Sequence, residues 1–213
     1  MKYQYDWAYP DMDEFMAGEL KADGSYQSSH LTAALAYVQD FSCAIDGGAH
    51  VGTWSRPMSQ RFAQVIAVEP SADTYACLVR NLEHFGITNV DARHLAIGAS
   101  AGRVSMTLSE KEVNRKNTGA RYALPGDEVA CETIDSWHLP SLGFLKLDIE
   151  GSEVAALEGA RETLRRCRPI VLFEDKAFWK RYGLRRDAPQ QVLLSLGYQH
   201  LQRVSMDEIW GPL

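Results

Sequence analysis

The sequence predicts an α/β protein built on a mostly parallel sheet with helices on both faces. Three stretches carry that prediction. Residues 43–45, Cys-Ala-Ile, are an apolar run that ends in Asp46 and a turn of small residues, Gly47, Gly48, Ala49 and Gly52. A segment of helical composition follows from Thr53. Strand, glycine turn and helix make a crossover unit, whose turn lets a ligand approach the backbone closely and whose helix start offers free N–H groups. Residues 64–68, Gln-Val-Ile-Ala-Val, are a second apolar run, closed by Glu69-Pro70. An acid at a strand end roughly twenty positions after the turn is where such folds hold ribose hydroxyls. Residues 143–153, Gly-Phe-Leu-Lys-Leu-Asp-Ile-Glu-Gly-Ser-Glu, begin as a buried strand and end in three carboxylates around a glycine.

A chain of 213 residues, 46% hydrophobic and 23% charged, suits one soluble domain with a substantial core. Its net charge of −6 does not favour nucleic acid or acidic membranes. No apolar run approaches the roughly twenty residues of a membrane span. The start of the chain, with Asp6, Asp11, Asp13 and Glu14, lacks a signal-peptide pattern. Cys43, Cys77, Cys131 and Cys167 form no C-x-x-C pair. They read as reduced thiols of a cytoplasmic protein, with no metal site. Oligomeric state is left open.

In chain order, residues 1–40 read as an N-terminal helical cap. Pro10 and the acids after it start one helix. Asp23-Gly24-Ser25 is a turn, and Leu31, Leu35 and Val38 mark a second helix over 27–39. A helix over 53–62 follows the glycine turn. Ser71 and Gly86 bracket another over 72–85, with Tyr75, Leu78, Val79 and Leu82 as its buried stripe. Strands are expected at 89–97 and, from alternation, at 103–108. Residues 109–127 lose periodicity and carry Lys111, Arg115, Lys116 and Arg121. They read as a solvated loop or as a substrate lid. A strand over 128–134 leads to a brief turn capped by Asp135. Beyond 143–148, a helix over 152–166 turns Val154, Leu157, Ala160 and Leu164 inward. A strand over 169–174, helices at 177–182 and 188–196, and closing strands at 198–204 and 207–210 complete the chain. No repeat or linker divides it, so 1–213 is one domain.

The order Asp46-x-Gly48-x-His50-x-Gly52 places the acid before the glycines and lacks the G-x-G-x-x-G of dinucleotide sites. It resembles motif I of the class I S-adenosylmethionine methyltransferases. With Val68-Glu69-Pro70, residues 145–153 and Leu157-Glu158-Gly159-Ala160, the stretch from Ile45 to Glu174 resembles the FkbM family of those enzymes. His50 stands where that family commonly has asparagine. The resemblance implies a Rossmann-like class I methyltransferase fold, with a sheet of six parallel strands and one antiparallel. It implies S-adenosyl-L-methionine as cofactor and a hydroxyl of a small molecule or glycan as acceptor. By the same resemblance, Asp46, Gly48, Ala49, His50, Gly52 and Thr53 surround the methionine part. Glu69 and Pro70 meet the ribose, Ala96 lies by the adenine, and Asp148 completes the cofactor shell.

A sulfonium methyl is already electrophilic, so such a site mainly aligns the acceptor. An alcohol also benefits from a general base. The candidates are Asp148 at a strand end, Glu150 two residues on, and His50, which titrates in the useful range. Glu174 ends the neighbouring strand. Glu153 reads as a helix-start carboxylate and Lys146 as a salt-bridge partner for the acids. A hard cation on Asp148, Glu150 and Glu174 is a weaker reading than no metal. The alternative function is an NAD(P)-dependent oxidoreductase on a Rossmann fold. A non-catalytic binding module gains no support, because the motif acids are all present.

Overall fold

The computed structural model describes residues 1–20, 26–176 and 178–213. The turn expected at Asp23-Gly24-Ser25 and the first residue of the helix expected at 177–182 lie outside the described residues. The chain begins with a hairpin of β1 (Lys2–Gln4) and β2 (Trp7–Tyr9), then α1 (Glu14–Glu19) and α2 (Ser28–Leu35). A run of crossover units follows: β3 (Cys43–Gly47), α3 (Ser55–Ser59), β4 (Gln64–Val68), α4 (Ala72–His84) and β5 (Val90–Arg93). Next come β6 (Ala96–Ile97), β7 (Gly102–Thr107), α5 (Glu110–Arg115), β8 (Tyr122–Pro125) and β9 (Val129–Glu132). The last third holds β10 (Phe144–Leu147), α6 (Glu153–Glu158), α7 (Arg161–Cys167), β11 (Ile170–Glu174), α8 (Ala188–Ser195), β12 (Tyr198–Val204) and β13 (Asp207–Pro212).

The main sheet has the order β12-β13-β11-β10-β3-β4-β5. β5, β4, β3, β10 and β11 are mutually parallel. β13 runs antiparallel to both β11 and β12, so six strands share one direction and β13 opposes them. The central strands are apolar because both faces are covered. Alternate residues divide between the faces. Ile45, Leu145, Leu147, Val171 and Phe173 pack with Leu157, Leu164 and Leu193 on one side. Ala44, Phe144 and Leu172 pack with Trp54, Met58 and Phe62 on the other.

Several elements differ from the sequence reading. The N-terminal segment opens with a hairpin as well as helices. Buried Asn81 of α4 holds it there: its Nδ2 donates to Ala8 O (2.9 Å) and Val51 O (2.8 Å), and its Oδ1 accepts from Ala8 N (2.7 Å). The expected strand over 89–97 is two strands. β5 stays in the main sheet, while β6 leaves it to pair with β9 in a second sheet of order β6-β9-β7-β8. Residues 109–127 contain α5, capped by Ser109, and β8, which pairs antiparallel with β7. α5 is too short to show a period, and β8 is defined by its ladder rather than by its own pattern. The helix over 152–166 breaks into α6 and α7 at Gly159. A Cβ there would stand 2.0 Å from the carbonyl oxygen of Gly98, so only glycine lets the second sheet seat against this helix. Asp135 caps the start of α7, accepting from Glu162 N (3.0 Å) and Thr163 N (2.8 Å), while Thr133 caps the turn before it. No helix among the described residues is long and apolar enough to cross a membrane.

Candidate active site

A cavity of about 340 Å³ is lined by residues that follow β3, β4 and β10 and by the last residue of β11. This is the carboxyl edge of the parallel sheet, where such folds bind ligands. Its floor is the meeting of the two sequence motifs. Asp148 N donates to Gly47 O (3.0 Å). Gly48 has φ +75°, and a Cβ on it would stand 1.9 Å from Asp148 O. The glycine is needed both for its left-handed backbone and for this approach.

The amides of Gly48, Ala49, His50 and Gly52 are taken up within the fold, and the helix start beyond them keeps its unpaired N–H groups. Gly48 N and Ala49 N both donate to Val68 O (3.0 and 2.9 Å), and Gly52 N donates to Ala49 O (2.8 Å). His50 N donates to Glu69 Oε2 (3.1 Å), and Glu69 Oε1 accepts from Ser71 N (2.8 Å). Glu69 is thus buried and fixed at both oxygens. Each oxygen retains a second acceptor site for a ligand hydroxyl.

Gly48, Ala49, His50, Thr53, Glu69, Pro70, Ala96, Asp148 and Glu150 all line the cavity. Asp46 and Gly52 do not. Asp46 is fully buried beneath the turn, where its Oδ2 accepts from Ser55 Oγ (2.6 Å) and its Oδ1 from Lys146 Nζ (2.9 Å). Lys146 also donates to Gly48 O (2.9 Å). Asp46 therefore supports the turn rather than touching a ligand. Lys146 pairs with Asp46 and with none of the strand-end acids. Gly52, at φ +95°, packs against Leu78.

Asp148, Glu150 and Glu174 bring one oxygen each within 4.8 Å of one another. Among the described residues this is the group arranged to hold a cation, and a positive charge already stands there. Lys176 Nζ is 2.6 Å from Glu174 Oε1 and 4.0 Å from Glu150 Oε1. Arg181 lies 3.8 Å from Glu150 Oε2, an ion pair without a hydrogen bond. Burial, then the charge of Asp148, pushes Glu150 up to about 8 and Glu174 up to about 9, with Lys176 opposing both. Glu150 and Gly151 both have left-handed backbone, φ +57° and +106°. Glu153 holds that turn, accepting from Ile149 N (3.1 Å) and Gly151 N (3.2 Å). Its burial outweighs those bonds and raises its pKa to about 7.

His50 is committed to the roof. Its backbone is left-handed (φ +52°), and its Nε2 lies 3.1 Å from Asp13 Oδ2 and 3.3 Å from Thr118 Oγ1. Thr118 also donates to Asp13, which caps α1 by accepting from Met16 N (2.8 Å). Burial would raise the Asp13 pKa, but bonds and charge from His50, with Thr118 and Met16, leave it lowered. A Lys116–Glu14 pair adds a second tie between α1 and the segment after α5. The other nitrogen, Nδ1, is buried without a partner. Neither ring nitrogen is open to an acceptor, so the expectation of His50 as a base gives way to a strut that joins two wall segments to the glycine turn.

The structure adds residues the sequence reading passed over. His30 of α2 and Asp207 at the start of β13 both line the cavity, with His30 Nδ1 2.7 Å from Asp207 Oδ2. Tyr26, Lys176 and Met206 share that end. No spacing rule could pair residues 177 positions apart. The one available signal was an ionisable residue in the closing turn at the sheet's carboxyl edge.

A seven-stranded sheet of this order, with its cavity at the carboxyl edge, defines a class I methyltransferase fold. The chain belongs to the methyltransferase FkbM domain family, whose model matches residues 46–202. It is similar to the hexuronic acid methyltransferase AglP of Haloferax volcanii, 26% identical over 133 residues, which cover 60% of this chain and 53% of that protein. The chain thus spans about half the length of this relative. A solved structure of the methyltransferase FkbM from Methylobacillus flagellatus superposes with a TM-score of 0.54 at 19% identity, covering 92% of this chain and 56% of the other. The precorrin-6y C5,15-methyltransferase of Geobacter metallireducens gives a TM-score of 0.51 at 11% identity, with 98% of each chain covered.

Proposed function

We propose that this protein transfers the methyl group of S-adenosyl-L-methionine to a hydroxyl oxygen of a small molecule or glycan. The observation that carries the reading is the glycine turn packed on Asp148 beside Glu69, with the amides of Gly48, Ala49 and His50 already bonded. A dinucleotide needs free amides for its pyrophosphate. A sulfonium nucleoside carries no phosphate and needs only a hydroxyl-binding acid and close backbone. The same observation weighs against the nicotinamide oxidoreductase alternative.

In this reading Glu69 accepts the ribose hydroxyls, and the 48–50 turn and Thr53 face the methionine part. Pro70 and the apolar Leu95-Ala96-Ile97 face the ribose and adenine. Asp148 and Glu150 shape the transfer site. The bound cofactor supplies an electrophilic methyl group, and the protein's own task is to exclude water and align the acceptor oxygen. The hexuronic acid acceptor named for the Haloferax relative supports a glycan or sugar acid as acceptor class. Four free cysteines fit a cytoplasmic setting.

The test is a melting shift with S-adenosylhomocysteine and with NADH. A ligand at a hundred times its Kd stabilises by about 2.7 kcal/mol, roughly 5–10 °C for a domain of this size. A shift with NADH and none with S-adenosylhomocysteine overturns the reading.

A further inference from the structure

We propose that His30, held by Asp207, is the general base that takes the proton of the acceptor hydroxyl. This rests on the methyl-transfer reading above and names a residue for it that neither sequence motif contains.

Asp207 is the first residue of β13 and pairs with Glu174 across the β11–β13 ladder. It therefore stands at the same sheet edge as the Asp148 cluster. Its side chain is 7% exposed, and its Oδ2 lies 2.7 Å from His30 Nδ1. Burial raises the Asp207 pKa and the bond to His30 opposes it; the ionised carboxylate only accepts hydrogen bonds, so with Asp207 ionised Nδ1 carries the proton. In the neutral ring the lone pair is then on Nε2. No protein group among the described residues bonds Nε2, and the ring lines the cavity. His50 is the opposite case, with Nε2 bound and Nδ1 sealed.

A buried carboxylate that fixes an imidazole tautomer and stabilises the imidazolium is the division of labour in hydrolytic triads. Imidazole is also the stronger base, by about 2.5 pH units over an aspartate in model peptides. Asp148 stands in a group of carboxylates with Glu150 and Glu174, the last of which holds the Lys176 ammonium. Asp207 is the ladder partner of Glu174, whose carboxylate lies within 4.8 Å of that of Asp148, so the two sites are neighbours. Lys146 and Tyr26 complete the ionisable surroundings.

His30 Nε2 takes the hydroxyl proton as the acceptor oxygen bonds to the sulfonium methyl carbon. The C–S bonding pair returns to sulfur as the neutral thioether, and the imidazolium then loses its proton to solvent. Asp148 is left to position the acceptor.

The experiment reads the ring directly. Protein labelled with ¹⁵N-histidine is examined at pH 8 by long-range ¹H–¹⁵N spectra, free and with saturating S-adenosylhomocysteine. The His30 signal is assigned from its loss in His30→Gln. The neutral Nδ1–H tautomer is expected, and Asp207→Asn should abolish it. An Nε2–H tautomer, a ring protonated on both nitrogens, or indifference to Asp207→Asn overturns the proposal, whether or not an acceptor is known. Transfer of labelled methyl to a glucuronic acid glycoside is the second readout. His30→Gln should lose about 10²–10⁴-fold in turnover, with S-adenosylhomocysteine affinity within twofold of wild type. Added imidazole should restore part of the loss in His30→Ala, which a packing role could not do. Wild-type turnover in His30→Gln with cofactor binding intact defeats the base and spares the methyl-transfer reading. Failure of the wild type to bind S-adenosylhomocysteine defeats the reading itself.

Discussion

Lys146→Met tests the foundation of the site. The ammonium has two partners, Asp46 Oδ1 and Gly48 O, both at 2.9 Å, and is 3% exposed. Methionine fits the volume but leaves the fully buried Asp46 with Ser55 as its remaining side-chain partner. Breaking one side of a buried ion pair costs about 3–5 kcal/mol, because the survivor is charged and desolvated. For a domain of this size that is roughly 6–20 °C in Tm. Removing both charges in Lys146→Met/Asp46→Asn should recover most of the loss, since the amide oxygen introduced at position 46 still accepts from Ser55. Urea unfolding followed by tryptophan fluorescence measures both, and Trp54 is a local reporter with its ring 5.6 Å from Lys146 Nζ. Burial alone would lower the Lys146 pKa, but the charges of Asp46 and Asp148 outweigh it and raise it above 10.5. A raised lysine pKa keeps its full stabilisation below the unfolded value and loses it progressively as pH rises from there through the folded one. The deficit of Lys146→Met should therefore be level from pH 6 to 9. A single mutant within 1 kcal/mol of wild type, or a double mutant no better than the single, refutes the reasoning.

Two further outcomes are expected. Glu69→Gln keeps the shape and removes the charge that would bond the ribose, worth on the order of 1.5–3 kcal/mol per hydrogen bond. Calorimetry should show S-adenosylhomocysteine affinity reduced about tenfold or more, and wild-type affinity would place the ribose elsewhere. Glu150, raised from 4.5 to about 8, binds more protons folded than unfolded across that window. Stability should therefore fall as pH rises from about 5 to 9, by at most about 1.4 kcal/mol per pH unit from this residue. Glu150→Gln should flatten the slope without abolishing it, because Glu174 and Glu153 titrate in the same sense. An unchanged slope would show that Glu150 is ionised throughout.

Much of the sheet was legible because its central strands are apolar runs bounded by turn residues. β4 and β12 fall on their expected ranges, and α4 ends within one residue of its own. Strand-end acids were legible for the same reason: Glu69, Asp148 and Glu174 stand where buried runs stop. The hairpin was not legible, because Asn81 looks like any polar residue of a helix until Ala8 and Val51 are beside it. The break at Gly159 is dictated by Gly98, which no local pattern reveals. Asp46 was placed against the ligand because its partner Lys146 lies a hundred positions away. The His30–Asp207 pair is a product of the tertiary fold alone.

The cavity's floor and its walls belong to different parts of the chain. Gly48, Glu69 and Asp148 stand on the seven-stranded sheet, and their spacing is set by the β3, β4 and β10 ladders. The walls come from α1, α2, residues 117–123 and the turn between β12 and β13. β7 pairs with β8 on one side and with β9 on the other, and neither β7 nor β8 joins a ladder of the main sheet. A change of length or composition there need not travel into the floor. In the proposed reading, gripping the methyl donor and choosing the acceptor are written in separate stretches of sequence. The first stretch tolerates little change, because Gly48 and Asp148 are in backbone contact. The second can drift, so a lineage can change what it modifies while keeping how it modifies it.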